Sequence, residues 1–369
     1  MKSLLLAFLF SVSALAQPVV GPEVTSAPLV NLDDYAIASQ GGSFVLAWTA
    51  EGRLHTGRLD AALQLSSAPL SLPLADFAAS ATMPAIATNG TSVAVAWREQ
   101  RAGLGESVFV ALLSADAGTL LKGPQAFNLT KAAPLLTSVG GKYVVYTGDL
   151  HYVLSDQLDI ESGVFIPHDA GAALTGTGEV ATVKEASSGS FDCRGFCIGR
   201  PCGPSPVGCN AASIVTFALG PSVFTAGYAF AIPPGTQSQD PFLASPPLIG
   251  PNGDSFAGLV DIPGHVDLYP SSTDPITLTA KPSGQVALAG NGEDVLVVWT
   301  NPHLAGIVVR ADGSMSAPFS IGDGGFQPRV VSINSNQFVL LYRKERDQGR
   351  SVIAGRIIQL QAPRKRGVR

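Results

Sequence analysis

The chain has 369 residues, of which only 14% are charged, and its formal net charge is −5. This balance argues against a generic binder of nucleic acid or anionic membrane surfaces, because such proteins need a basic surface. The 40 glycines and 27 prolines, set among many valines and alanines, favour short strands and tight turns over long charged helices.

The first predicted element is an export signal in residues 1–16. Lys2 supplies a positive start, Leu4 to Val12 form an apolar run shorter than a membrane span, and Ala14 and Ala16 frame a cleavage site. We therefore expect the mature chain to begin at Gln17 and to be secreted or periplasmic. No later stretch is long and apolar enough to predict a membrane span.

A repeated unit of four extended pieces, called A, B, C and D, follows the signal. In the clearest copy, A is Ala85 to Ala87, B is Ser92 to Trp97, C is Ser107 to Leu113 and D lies near Gln125 to Leu129. Asn89-Gly90 between A and B predicts a hairpin, because both central positions of the favoured two-residue turn need positive φ. The pattern indicates a small antiparallel sheet of four strands.

Seven copies of this unit can be counted. Their B pieces end at Trp48, Trp97, Tyr146, about Phe217, Val260, Trp299 and Tyr342. In the fourth copy, A is Val180 to Val183, B is Ser213 to Ala218, C is Val223 to Ala229, and a cysteine-rich insertion of about residues 185–212 is the A–B connection. Seven four-stranded units predict an all-β fold, a seven-bladed β-propeller forming one domain over residues 17–362.

The two ends of the repeat predict how the ring closes. The last copy stops soon after its C piece, at Pro363, and so lacks a D piece. The stretch Pro22 to Ser26 near the mature N-terminus is extended and belongs to no copy. We expect this strand to complete the last blade, since that pairing would hide two sheet edges.

All four cysteines lie in the insertion: Cys193, Cys197, Cys202 and Cys209. In an exported protein an even, clustered set predicts two disulfides, although the spacing leaves the pairing open. Four thiolates could also hold a tetrahedral metal, but the spacing matches no zinc motif. We expect no metal and no other cofactor.

The recurring Pro-x-Ile-Ala, Asn-Gly, Val-x-Val-x-Trp and Arg-x-Asp…Gly-x-Leu pieces resemble repeats of secreted bacterial propeller proteins, most of which are uncharacterised. The resemblance covers essentially the whole mature chain. It implies the propeller and an exported location, and it carries no catalytic residues with it.

The B–C connections hold most of the concentrated polar residues, and loops from several blades converge on one face of a propeller. We therefore predict a binding face there. Its candidate residues are Arg98, Arg101, Asp149, His151, His265, His303, Arg343 and Arg346. The alternative is that these are ordinary solvated hairpin tips, and a metal held by the three histidines has no support from spacing.

The leading functional hypothesis is an exported, monomeric, non-catalytic scaffold that binds a protein, a peptide or a glycan, and no nucleic acid, through its B–C face. The alternative is a hydrolase or lyase acting on polysaccharide, which would need acids near the central channel. A structural envelope component is a third possibility. The basic tail, residues 363–369, is expected to be a solvated end.

Overall fold

A computed structural model describes most of the chain between residues 17 and 361. The described ranges are 17–27, 31–74, 80–101, 105–130, 132–166, 171–188, 212–219, 222–227, 248–262, 265–270, 275–346 and 350–361. Every regular element within them is a β-strand. Over these same ranges, no helix capable of crossing a membrane is found.

The strands are short and follow one another closely. The first ten are β1 (Val19–Val20), β2 (Val24–Thr25), β3 (Leu32–Gln40), β4 (Ser43–Ala50), β5 (Arg53–Leu59), β6 (Leu70–Leu72), β7 (Ser80–Thr88), β8 (Ser92–Arg101), β9 (Gly105–Ser114) and β10 (Leu120–Leu129). The next eight are β11 (Leu135–Val139), β12 (Lys142–Tyr146), β13 (Leu150–Leu154), β14 (Ile160–Phe165), β15 (Gly171–Leu174), β16 (Val180–Ser188), β17 (Ala212–Leu219) and β18 (Ser222–Gly227). The remaining strands are β19 (Leu248–Asn252), β20 (Ser255–Ile262), β21 (His265–Pro270), β22 (Ile276–Thr277), β23 (Val286–Gly290), β24 (Asp294–Trp299), β25 (Leu304–Arg310), β26 (Phe319–Gly322), β27 (Phe326–Asn334), β28 (Gln337–Glu345) and β29 (Ser351–Gln359).

The predicted A–B hairpin of the clearest copy is confirmed. Asn89 Oδ1 accepts hydrogen bonds from the backbone N–H groups of Thr91 at 3.0 Å and Ser92 at 2.8 Å. Gly90 has a φ of 90°, which a residue with a side chain rarely adopts, whereas Asn89 does not have a positive φ. The turn is therefore not the expected type in which both Asn89 and Gly90 have positive φ. The Asn side chain and the Gly backbone together close this turn, so two residues set the register of β7 and β8.

The strands form a propeller-like ring of antiparallel sheets, but the expected seven separate blades are not found. Five sheets are separate: β3–β6, β7–β10, β11–β14, β15–β18, and β27–β29 with β1 and β2. The other eight strands make one sheet, ordered β22-β21-β20-β19-β23-β24-β25-β26. The structure therefore has five separate blades and one longer curled sheet.

The eight-stranded sheet arises because two four-stranded units come unusually close. Its halves meet through a single parallel pair, Asn252 with Gly290. A Cβ atom on Gly290 would lie 2.0 Å from Asn252 Oδ1, so only glycine permits this approach. Asn252 Oδ1 also accepts the N–H of Gly292 at 2.8 Å. The sequence pattern showed the two units but not this contact between them.

The prediction for the fourth copy is wrong by one strand. Its first strand is β15, Gly171–Leu174, and Val180 begins the second strand instead of the first. The cysteine-rich insertion therefore connects the second and third strands, β16 and β17, and is a B–C connection instead of an A–B one. The four cysteines and their predicted disulfides lie outside the described residues.

The N-terminal strands lie beside the last sheet. Val19 and Val20 pair with Gln359 and Ile358 of β29. Further along, Val24 and Thr25 pair with Gly355 and Ala354. The predicted pairing of the Pro22 to Ser26 stretch with the final strand is thus present at Val24 and Thr25, and Val19 and Val20, which lie before that stretch, add a second short segment.

Glu23 lies between these two segments and is bound to the last sheet. Its carboxylate accepts hydrogen bonds from Tyr342 Oη at 2.7 Å and from Lys344 Nζ at 2.7 and 2.9 Å. Arg356 Nη1 donates to the carbonyl of Gly21 at 2.8 Å. Polar contacts therefore add to the strand pairing that holds the N-terminal segment in place.

The core lies between neighbouring sheets. Trp48, Trp97, Tyr146 and Tyr342, which lie in the second strands of four units, are almost completely buried. Each packs in a cluster that joins residues of adjacent sheets. The first strands follow one another around the ring, β3 beside β7, then β11, β15, β19, β23 and β27, with β27 in contact with β3.

Candidate functional site

A cavity of about 460 Å³ lies where the first strands of all the units converge. Its size falls in the range of about 300–1,000 Å³ that ligand sites usually have. The lining comes from β3, β7, β11, β15, β19, β23 and β27 and the residues next to them. It is mostly apolar, with side chains such as Ile37, Ile86, Leu135, Ile249 and Val286.

The cavity lies toward the face that carries the B–C connections. Lining residues pair across the sheet with aromatic residues at or near the ends of the second strands. These pairs are Tyr35 with Trp48, Leu135 with Tyr146, and Val286 with Trp299. Tyr146 and Trp299 are the last residues of their strands, and Trp48 lies two residues before the end of β4. The lining residues paired with them therefore lie at the end of the ring that carries the B–C connections.

One ion pair is exposed in the cavity. Arg329 Nη2 lies 3.0 Å from Asp34 Oδ1, and Arg329 Nε donates to the carbonyl of Tyr35 at 3.4 Å. The guanidinium also lies over the ring of Tyr35, 5.9 Å from its centroid. Among the described lining residues, Asp34 is the one carboxylate and Arg329 the one cation. The ion pair joins the first sheet in the chain to the last.

The buried ring of Tyr35 packs against the guanidinium of Arg329. The Tyr35 hydroxyl donates to the backbone carbonyl of Gln327. Burial raises the pKa of Tyr35 well above its ordinary value, and nearby Arg329 opposes that effect. The hydroxyl is therefore neutral at any physiological pH and acts as a fixed structural donor.

Two of the predicted arginines make local contacts in their own sheets. Arg98 Nη1 lies 3.2 Å from Glu106 Oε2 on the neighbouring strand, and its side chain is only 15% exposed. Arg343 Nε donates to Ser351 Oγ at 2.9 Å, and its guanidinium lies 4.8 Å from the ring centroid of Phe326. Both side chains hold strand ends together on the B–C face.

The three predicted histidines contact different neighbours. His151 Nε2 is 3.0 Å from the carbonyl of Gly178 in the next sheet. His265 Nε2 is 3.4 Å from Asp267 Oδ2, and the exposed His303 Nδ1 is 3.6 Å from Asp323 Oδ1. In the part of the chain that the structure describes, no three His, Cys, Asp or Glu side chains cluster as a metal site would require.

The other candidates lie at strand ends. Asp149 is exposed in the turn between β12 and β13, and its carbonyl accepts the N–H of Ile166 at 2.8 Å. Arg346 is exposed after β28, with its N–H bonded to the carbonyl of Arg350 at 2.8 Å. Arg101 ends β8, and its side chain lies outside what the structure describes.

The sequence pattern does not identify the cavity residues Asp34 and Arg329 as site residues. Both lie inside first strands whose other residues are mainly apolar. A charged residue within such a strand was the available signal, but the side facing the ring axis cannot be recognised until the sheets are placed around it.

A second cavity, of about 400 Å³, lies at the opposite end of the ring beside A–B turns. It is lined by Glu293, Asp294, Arg310 and Asp312, among others. Asp294 is mostly buried, and this burial raises its pKa although Arg310 Nε bonds to it at 3.2 Å. The lining of this second cavity is acidic, whereas the lining of the central cavity is mostly apolar.

No family model matches the chain, and no curated protein sequence does. Among solved structures, the chain is similar to a chain of a mitotic checkpoint complex, with a TM-score of 0.51 and 11% identity over 95% of this chain and 98% of that one. It also matches a protein of unknown function from Dyadobacter fermentans (TM-score 0.44, 10% identity, 94% and 99% covered). A third match is an α-L-arabinanase of Penicillium chrysogenum complexed with arabinobiose (TM-score 0.46, 9% identity, 93% and 99% covered). At these identities the first likeness supports the fold alone.

Proposed function

We propose that this protein is an exported, non-catalytic binding scaffold that takes up part of a partner at the mouth of its central cavity. One observation carries the proposal: a cavity of about 460 Å³, lined by the first strands of every unit, lies at the same end of the ring as the B–C connections. Apolar lining with a few placed polar groups is typical of binding sites.

The same cavity gives no support to polysaccharide hydrolysis. Glycosidases generally use two carboxyl groups that flank the scissile bond. The described lining offers Asp34 alone, and Arg329 engages it at 3.0 Å. A single carboxylate held in an ion pair suits ligand recognition better than acid–base catalysis.

We also propose that the ring has seven blades. The two halves of the eight-stranded sheet, β19–β22 and β23–β26, are taken as two blades that touch through one residue pair, which gives seven blades in all. β1 and β2 are taken as the strands that close the ring. The contact of β27 with β3 supports this arrangement.

The cellular setting is also part of the proposal. The export signal in residues 1–16, the predicted disulfides and the resemblance to secreted bacterial repeats all favour an envelope or extracellular partner. We expect the protein to act there as a monomer.

The test is to capture partners from envelope and culture fractions of the producing cell with the mature chain and with cavity-blocking variants. Ala287→Trp and Ala172→Trp fill the cavity from different sheets. Leu121→Trp is the matched control, because Leu121 is 57% exposed on the outer strand β10. We expect the wild type and the control to capture a partner that neither blocking variant captures. Equal capture by all four proteins would refute it.

A further inference from the structure

The ion pair between Asp34 and Arg329 indicates which class of ligand the cavity can bind. The Arg329 side chain is 47% exposed and that of Asp34 is 22% exposed, so both are within reach of a bound molecule. Their charged atoms are 3.0 Å apart. The cavity therefore presents a strong hydrogen-bond donor and a strong acceptor side by side, with their charges compensated.

Compensated charges disfavour a charged ligand group. A carboxylate placed against Arg329 would also face the negative charge of Asp34, and an ammonium group at Asp34 would face Arg329. A peptide amide has a carbonyl that accepts and an N–H that donates, without net charge. It can accept a bond from Arg329 while donating one to Asp34.

The rest of the lining favours an apolar peptide over a glycan. Sugar rings usually stack on exposed aromatic faces, but Trp48, Trp97 and Trp299 are only 1%, 0% and 6% exposed. Tyr35 at the cavity is also buried. A sugar would leave several hydroxyl groups against aliphatic side chains without partners, which costs binding energy.

We propose that the cavity binds an extended apolar peptide segment and that Asp34 and Arg329 recognise one of its backbone amides. This inference rests on the proposed function, because it assumes that the cavity is the binding site. It assigns Asp34 and Arg329 as specificity-determining residues.

The probes are arrays of six-residue peptides with blocked ends, in neutral apolar and charged series, together with an oligosaccharide array. The best-bound peptide is then resynthesised with each backbone amide replaced in turn by an ester, which lacks the N–H donor. Affinities are measured for the wild type, Asp34→Ala, Arg329→Met and the cavity-blocking Ala287→Trp. Lys142→Met is the matched control, since Lys142 forms an ion pair with Glu161 at 2.6 Å on another sheet and is 52% exposed.

The inference predicts binding of neutral apolar peptides by the wild type and by Lys142→Met. One ester position should weaken wild-type binding about tenfold, the loss expected when a single hydrogen bond to a charged group is removed, and should leave binding to Asp34→Ala unchanged. Arg329→Met should weaken binding of the unmodified peptide by a similar factor.

Two other outcomes separate the inference from the function on which it rests. If Ala287→Trp abolishes binding but charged peptides or oligosaccharides bind more tightly, or no ester position matters, the amide inference is wrong and the proposed site stands. If no probe binds the wild type, or Ala287→Trp binds every probe equally well, both proposals are wrong. Circular dichroism of each variant confirms that the fold is intact.

Discussion

Gly290 is the residue on which the closest approach between two units depends. A Cβ atom there would meet three side-chain atoms of Asn252, the nearest at 2.0 Å, and Asn252 is itself held by the N–H of Gly292. We predict that Gly290→Ala lowers the free energy of unfolding by about 1–3 kcal/mol, the usual cost of overpacking. Urea denaturation measures this loss.

Gly123→Ala is the control for this prediction. A Cβ atom at Gly123 in β10 meets nothing within 4 Å, so the substitution should be neutral or slightly stabilising. Equal stability of the two variants would show that the units are not in contact at Gly290.

Arg98 is also a residue whose role is structural. Its guanidinium is 3.2 Å from Glu106, and both side chains are less than one-fifth exposed. We predict that Arg98→Glu destabilises the fold by about 1–3 kcal/mol, because it places like charges together in a partly buried site. Arg346→Glu, at an exposed position with only a backbone bond described, should change the midpoint of thermal unfolding very little. Similar midpoints of thermal unfolding for Arg98→Glu and Arg346→Glu would contradict a structural role for Arg98.

Among the elements, the N-terminal strands are joined to the last sheet by strand pairing and by one carboxylate, that of Glu23. Burial tends to raise the pKa of Glu23, but the hydrogen bonds from Lys344 and Tyr342 outweigh it, and the pKa lies below its ordinary value. The folded state therefore gains stability from Glu23 above the unfolded pKa of about 4.3. That gain is lost as the pH falls through the lowered pKa of the folded state.

We predict that Glu23→Gln is less stable than the wild type at pH 7 and that the difference shrinks steadily below about pH 4. Chemical denaturation at a series of pH values measures it. Glu345→Gln, which changes an exposed carboxylate on β28, is the control and should follow the wild type. A Glu23→Gln difference that stays constant with pH would contradict the ionic role.

Some strands can be predicted from the sequence and others cannot, as β8 and β15 illustrate. The β7–β8 hairpin was predicted because Asn89-Gly90 is a local signal that directly determines the turn. β15 was missed because Gly171–Leu174 is short and rich in small residues, and the long insertion after β16 hid the repeat period. Its register depends on pairing with β16 across the sheet, which is a tertiary contact.

At the scale of the whole molecule, the all-β propeller-like ring followed from the repeat, whereas the site did not. Patterns of polar residues pointed to hairpin tips such as Arg98 and Arg343, which the structure places in contacts within their sheets. Asp34 and Arg329 are nearly 300 positions apart and meet only because the last sheet lies beside the first. The contact between Asp34 and Arg329 can be recognised only when the positions of the first and last sheets in the ring are known.

The proposed function requires a partner to bind in the cavity formed by the first strands. Hydrogen–deuterium exchange, with and without a captured partner or the best-bound peptide, tests it most directly. We expect slower exchange in the segments that line the cavity, residues 34–37, 83–86 and 286–288. Slower exchange confined to the acidic cavity around Glu293 and Asp312, or to the outer strand β14, would contradict it.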